Sequence, residues 1–343
     1  MRQSRGMSAA APALLELRGI SKRFVKRLDF AGRIARRLGA RVFESTVHAV
    51  DDVSLAIRER EVVGLVGESG CGKSTLGRIV SRILPPTEGE RYWKGRRYEE
   101  FDAPASRAER LAVQMIFQDP YASLNPRMRI VDIVGEAPVI HGLVAAADRE
   151  SYVADVLQRV GMDASLMRRF PHQFSGGQRS RIGIARALAV KPRFLVCDEA
   201  VAALDVSFQA QVLNLFIRLR EELALTYLFI SHDLGVIRHV ADRVVVMYLG
   251  RIVEAAPTGE LYSQPNHPYT QALIAEVPKV DARRRTYVPI RGEIPSPLAP
   301  PAGCHFHPRC PKAFAPCAVE VPRLREIAPG RISACHLNDA TLP

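Results

Sequence analysis

The sequence predicts an α/β protein built on a mainly parallel sheet, with a helical insertion and a small Cys-rich C-terminal part. Three observations predict it. Glu61-Val62-Val63-Gly64-Leu65-Val66 is a continuous apolar run that ends in a glycine-rich turn, as a strand buried on both faces should, and a helix follows over residues 74–84. Strands recur over 194–197 and 226–230 with a helix over 208–223 between them, the alternation a parallel sheet requires. From Pro120 to about Pro171 the pattern turns helical, with Val153, Val156, Leu157 and Val160 at helical spacing.

The remaining elements follow in order. Residues 14–24 and 48–57 read as strands, short runs with β-branched residues bounded by Arg, Asp and Gly. A basic stretch accompanies them: Lys22, Arg23, Lys26, Arg27, Arg33, Arg36, Arg37 and Arg41 face few acids. Pro85-Pro86 stops the helix after the glycine-rich turn. A helix over 178–188 alternates Arg179, Arg181 and Arg186 with Ile182, Ile184 and Ala185. Pro257, Pro265, Pro268 and Pro278 mark a change of character, so the chain divides into residues 1–256 and a candidate small domain, 257–343.

Composition narrows the class. The chain has 343 residues, 47% hydrophobic and 24% charged, which is ordinary for a globular protein with one sizeable core. No apolar run approaches the roughly 18–20 residues of a membrane helix. Arg2, Arg5 and an Ala-rich run resemble a signal peptide, but Glu16 and Arg18 interrupt it, so export is not expected. The net charge of +12 fits a nucleic-acid or anionic-lipid partner and equally a solvated basic insertion. Cys71 and Cys197 read as small packing residues. Cys304, Cys310, Cys317 and Cys335 cluster near the C-terminus, where a metal or cluster site is a better reading than disulfides.

The turn Gly67-Glu68-Ser69-Gly70-Cys71-Gly72-Lys73-Ser74-Thr75 is a phosphate loop in its proper context of strand, turn and helix. Glycines let successive amides point inward at phosphate oxygens, and the helix N-terminus adds its dipole. Lys73 is expected to neutralise the β- and γ-phosphates, Ser74 to ligate Mg²⁺ and Thr75 to cap the α-phosphate side. Asp198 ends a buried strand, where an unpaired carboxylate is costly and a Mg²⁺ ion would relieve the cost. Glu199 then emerges where it could polarise an attacking water, a role typically contributing about 10²–10⁴ in rate.

Phe174-Ser175-Gly176-Gly177-Gln178, about twenty residues before that aspartate-ended strand, resembles the signature of ABC-type ATPases. The resemblance implies a RecA-like core with an antiparallel β subdomain and a helical subdomain at about 120–178. It also implies a dimer, because the loop Ser175-Gly176-Gly177-Gln178 touches ATP held by a second subunit. Gln118 is then expected to reach Mg²⁺ and water and relay nucleotide state to the helical insertion. His232 would hold the γ-phosphate and water in line, and Asp205 would lie in the loop linking two ATP sites. Phe24 falls where an aromatic often stacks on adenine, with a core Phe as the competing reading. Ala200 and Ala202 replace the Pro and Ser that are common in the family, yet Glu199 and His232 remain and hydrolysis is expected.

Residues 118–128 (Gln-Asp-Pro-Tyr-Ala-Ser-Leu-Asn-Pro-Arg-Met) and 265–273 (Pro-Asn-His-Pro-Tyr-Thr-Gln-Ala-Leu) look like ATP-binding subunits of dipeptide/oligopeptide ABC importers. So does Cys304-x5-Cys310-x6-Cys317-x17-Cys335 with Arg309 before its second cysteine. On spacing alone this is an unassigned four-cysteine site; the resemblance implies a [4Fe–4S] cluster, with zinc or no metal as alternatives. It further implies a homologous, distinct ATPase partner, two membrane permease subunits, an external solute-binding protein, and a peripheral place on the cytoplasmic face of the membrane. No nucleic-acid partner is expected. The rival readings are a non-transport ABC ATPase acting on nucleic acid or ribosomes, and a nucleotide sensor that does not hydrolyse.

Overall fold

The computed structural model describes residues 13–26, 37, 44–101, 107–119, 123–202, 204–277, 290 and 292–339. Arg27, Arg33, Arg36 and Arg41 of the basic stretch lie outside the described residues, as do Pro120, Tyr121 and Pro278.

The N-terminal half runs β1 (Ala13–Lys26), β2 (Ser45–Arg58), β3 (Val62–Val66), α1 (Lys73–Val80), β4 (Glu88–Trp93), β5 (Arg96–Arg97), α2 (Arg107–Leu111), β6 (Val113–Ile116), α3 (Ile130–Ile140) and α4 (Arg149–Arg159). Then come α5 (Gly176–Leu188), β7 (Phe194–Asp198), α6 (Val206–Leu223), β8 (Thr226–Ile230), α7 (Leu234–Val240), β9 (Arg243–Tyr248) and β10 (Arg251–Pro257). The tail adds α8 (Thr258–Ser263), α9 (Pro268–Glu276), α10 (Ala315–Val319), β11 (Arg325–Ala328) and β12 (Arg331–Ser333).

Two sheets result. The larger has eight strands in the order β11-β12-β10-β9-β3-β8-β7-β6. Its β6, β7, β8, β3 and β9 are parallel neighbours, while β10, β12 and β11 pair antiparallel. Every residue of β3, β7 and β8 is buried, which accounts for their unbroken apolar character: both faces are covered. The smaller sheet is antiparallel with order β2-β1-β4-β5. Along β2 burial alternates, Val53, Leu55 and Ile57 facing inward and Ser54, Ala56 and Arg58 outward, as one covered face dictates. Its inner face packs with Leu76 and Ile79 of α1 and with Leu65 and Val196 of the large sheet in one apolar cluster.

A second cluster occupies the opposite face and takes in the helical insertion through Ile130, Val134, Val153, Leu157 and Ile182. Tyr269, Leu273, Ile274 and Phe306 of the tail lie in the same cluster, and β12 hydrogen-bonds to β10. Residues beyond Pro257 therefore extend the core sheet and share its interior. The helix expected over 74–84 ends at Val80, because Ser81 caps it and Arg82 turns the chain at φ 62° before Pro85 and Pro86.

Candidate active site

The phosphate loop joins β3 to α1 and packs down on two neighbouring backbones. Gly72, the N-cap of α1, has φ 105°, and a Cβ there would stand 2.1 Å from the Ala49 carbonyl oxygen of β2. Gly67 is confined in the same way, with a Cβ 2.1 Å from the Met247 carbonyl oxygen of β9. Lys73 is buried, and its ammonium donates to the carbonyls of Gly67 at 2.8 Å and Glu68 at 2.9 Å, centring its charge in the loop. Cys71 is buried under the loop, where desolvation raises its thiol pKa.

The carboxylates come from the end of β7. Ser74 Oγ donates to Asp198 Oδ1 at 2.9 Å. Asp198 is buried; desolvation raises its pKa, and the Ser74 hydroxyl opposes that rise. A hydroxyl and a buried carboxylate in contact are the hard oxygen donors Mg²⁺ prefers, so these residues fit the ion. The next residue, Glu199, has φ 47°, an uncommon left-handed backbone for a side-chain-bearing residue. That bend presents its carboxylate between two groups. Gln118 Nε2 donates to Oε2 at 2.6 Å, and His232 Nδ1 lies 3.1 Å from Oε1. The structure thus brings together Ser74 with Asp198, and Gln118 and His232 with Glu199.

A cavity of about 350 Å³ lies over the loop, lined by Ser69, Gly70, Gly72, Lys73, Ser74, Thr75, Gln118 and Glu199. Phe24, 42% exposed, closes it together with Val47, Ala49 and Pro297. Three of these the sequence did not single out: Val47, Ala49 and Pro297. The tail reaches the cavity because the His48 N–H donates to the Pro297 carbonyl at 3.0 Å, a contact between residues far apart in sequence. Glu68 does not line the cavity; its carboxylate turns away to Arg309. A second cavity, about 410 Å³, lies between β2, β10 and the tail and contains no residue of the loop.

Residues 175–178 do not line this cavity of their own chain. Ser175 caps α5, its Oγ accepting from the Gln178 N–H at 3.3 Å while Gln178 Oε1 accepts from the Ser175 N–H at 3.0 Å. This capping box fixes the loop's shape. Asp205 caps α6, accepting from the Phe208 N–H at 3.1 Å.

The four tail cysteines fall into one region without forming the expected ligand set. Cys304 and Cys310 flank the turn His307–Arg309, Cys317 sits in α10 and Cys335 follows β12. Burial raises the thiols of Cys304 and Cys310 and pushes Cys335 up to about 11, with neighbouring cysteines adding to the rise. Among the described residues no three His, Cys, Asp or Glu side chains converge to hold one metal ion. The [4Fe–4S] or zinc site expected on these residues is therefore not supported by their arrangement.

Comparison with known proteins agrees with this geometry. The family described as ABC transporter matches residues 50–202, and the oligopeptide/dipeptide transporter C-terminal region matches residues 253–317. The chain is 47% identical over 334 residues to the oligopeptide transport ATP-binding protein AppF of Bacillus subtilis (strain 168), covering 96% of this chain and 99% of that protein. It is 49% identical over 292 residues to the probable peptide ABC transporter ATP-binding protein y4tS of Sinorhizobium fredii, covering 85% and 83%. Among solved structures it resembles the dimeric post-hydrolysis state of the ATP-binding cassette MJ0796 bound to ADP and Pi. That likeness has a TM-score of 0.60 at 25% identity, covering 71% of this chain and 98% of that one. No helix among the described residues is long and apolar enough to cross a membrane. The chain is an ABC-type ATPase and belongs to the ATP-binding subunits of the oligopeptide/dipeptide branch of the ABC transporter family.

Proposed function

We propose that the chain hydrolyses ATP as one of two paired subunits and thereby drives peptide import through membrane permease subunits, working from the cytoplasmic face of the membrane. The observation that carries this is the carboxylate of Glu199, held between Gln118 and His232 beside the phosphate loop. In this reading the loop amides and Lys73 bind the β- and γ-phosphates. Ser74, Asp198 and Gln118 would hold Mg²⁺, which when bound would supply positive charge to neutralise the phosphates. Glu199 takes the proton of the attacking water, and His232 keeps water and γ-phosphate in line.

Pairing is supported by the cavity itself: residues 175–178 do not line it, and in a closed pair they would meet ATP across the seam. A cassette of similar fold has been solved as a dimer. ATP then favours the closed pair because only that state makes both sets of contacts. The helical insertion near residues 121–128 passes closure on to the permeases, and the likeness to importer subunits favours a homologous, distinct ATPase partner. The names of the relatives favour peptides as the cargo. We divide the chain at residue 257 into the ATPase and a transporter-type tail. The tail cysteines take no part in these steps; iron and zinc analysis of the purified chain decides between a cluster, zinc and neither.

The test is ATP turnover by the assembled transporter in vesicles, measured with peptide uptake. Both activities should disappear in Lys73→Ala and fall sharply when Gly176 and Gly177 are replaced. Full-rate hydrolysis by a strict monomer, indifferent to residues 175–178, would overturn the proposal.

A further inference from the structure

Glu68 places a carboxylate in the loop that is to hold a triphosphate, where like charges oppose each other. The tail answers this charge from 241 residues away: Arg309 Nη1 donates to Glu68 Oε2 at 2.7 Å and Nη2 to Oε1 at 2.9 Å. The Arg309 side chain is only 5% exposed and that of Glu68 21%, so solvent screens the pair little. Tyr269 Oη, from α9, accepts the backbone N–H of the same Glu68 at 2.8 Å. The Glu68 carbonyl in turn accepts from Lys73 Nζ at 2.9 Å. Behind these contacts Tyr248, Tyr269 and Phe306 pack with ring centroids 4.7–5.3 Å apart, and Tyr248 Oη accepts from Arg309 at 3.3 Å.

We propose that Arg309 and Tyr269 are positioning residues of the ATP site: the tail fastens the phosphate loop and cancels its one acidic side chain, so ATP affinity depends on the tail. This rests on the ATP reading of the loop. Arg309 is suited to the task because its planar fork meets both carboxylate oxygens at once, which a lysine cannot do. It also gives the two tail segments singled out in the sequence, 265–273 and the residue before Cys310, a shared physical purpose: both end on Glu68.

The experiment is equilibrium binding of Mg²⁺-ATP to the full chain, with steady-state hydrolysis in the assembled transporter. Arg309→Met should raise the ATP dissociation constant and KM about tenfold while kcat at saturating ATP stays within about threefold. Arg309→Lys should fall between. Adding Glu68→Gln to Arg309→Met should return affinity to within about threefold of the unvaried chain, because nothing is left to neutralise; loss of a merely structural contact would not be rescued this way. Unvaried affinity in Arg309→Met, or equal weakness of the single and double variants, overturns the inference. Where circular dichroism shows Arg309→Met unfolded, unvaried affinity in Arg309→Lys overturns it instead. An unvaried chain that binds no ATP overturns the ATP reading and this inference together.

Discussion

Glu199→Gln is the sharpest perturbation of the proposed chemistry, because it removes a charge and almost no volume. The carboxylate accepts from Gln118 at 2.6 Å and faces His232 at 3.1 Å. With an amide at 199, turning the Gln118 amide restores a donor–acceptor pair, so the fold exchanges charge-assisted hydrogen bonds for neutral ones at a cost of about 1 kcal/mol. The left-handed backbone at 199 is equally strained with either residue. Loop contacts from Lys73 and Ser74 are untouched, so the ATP dissociation constant should move by no more than about threefold. Loss of a general base should slow the chemical step by about 10²–10⁴, equivalent to roughly 2.7–5.5 kcal/mol of barrier. The assay is single-turnover phosphate release from Mg²⁺-ATP in the assembled transporter, with sedimentation to follow pairing. Release should fall at least about 100-fold while ATP is retained and the closed pair accumulates. Phosphate release within about threefold of the unvaried rate would refute the assignment, and another group would have to accept the proton.

Two further outcomes follow from local geometry. Gly72→Ala must place a methyl 2.1 Å from the Ala49 carbonyl at φ 105°, a clash and a strained backbone together costing about 3 kcal/mol or more. ATP titration should show affinity lost more than about tenfold, and the melting temperature should drop by roughly 5 °C or more; an unchanged titration would mean the loop relaxes freely. His267 is buried, and desolvation pushes its imidazole down to about 4, so the unfolded chain takes up this proton first as pH falls. The stability it contributes is complete above about pH 6.5 and is lost progressively towards pH 4, about 3 kcal/mol in all. His267→Asn can keep the α9 cap without the titration. Urea unfolding across that window should therefore separate the two chains by that amount at acid pH, and parallel curves would count against a neutral buried imidazole.

Much of the core was legible because burial on both faces leaves an unbroken apolar run, as in β3, β7 and β8. The loop and the Asp198-Glu199 step were legible because phosphate and metal chemistry constrain residue type at close spacing. Long-range closure was not. Pro297 reaches the cavity through a backbone bond to His48, and backbone bonds leave no mark on side-chain pattern. Arg309 was visible as a residue beside Cys310, but its carboxylate partner lies in the loop itself, where a glutamate reads as one more loop position. The expected end of the first helix overshot because Arg82 adopts φ 62°, a conformation that an arginine does not advertise. The cysteines illustrate the opposite limit: proximity in sequence brought the four thiols into one region but did not fix their distances.

The cavity walls run from Phe24 to Pro297, and more than two hundred residues separate Thr75 from that last wall. At about 5–20 residues per second, a growing chain presents its phosphate loop on the order of 10 to 40 seconds before Pro297 is made. During translation the loop is thus an open cradle until the Pro297 wall has been made.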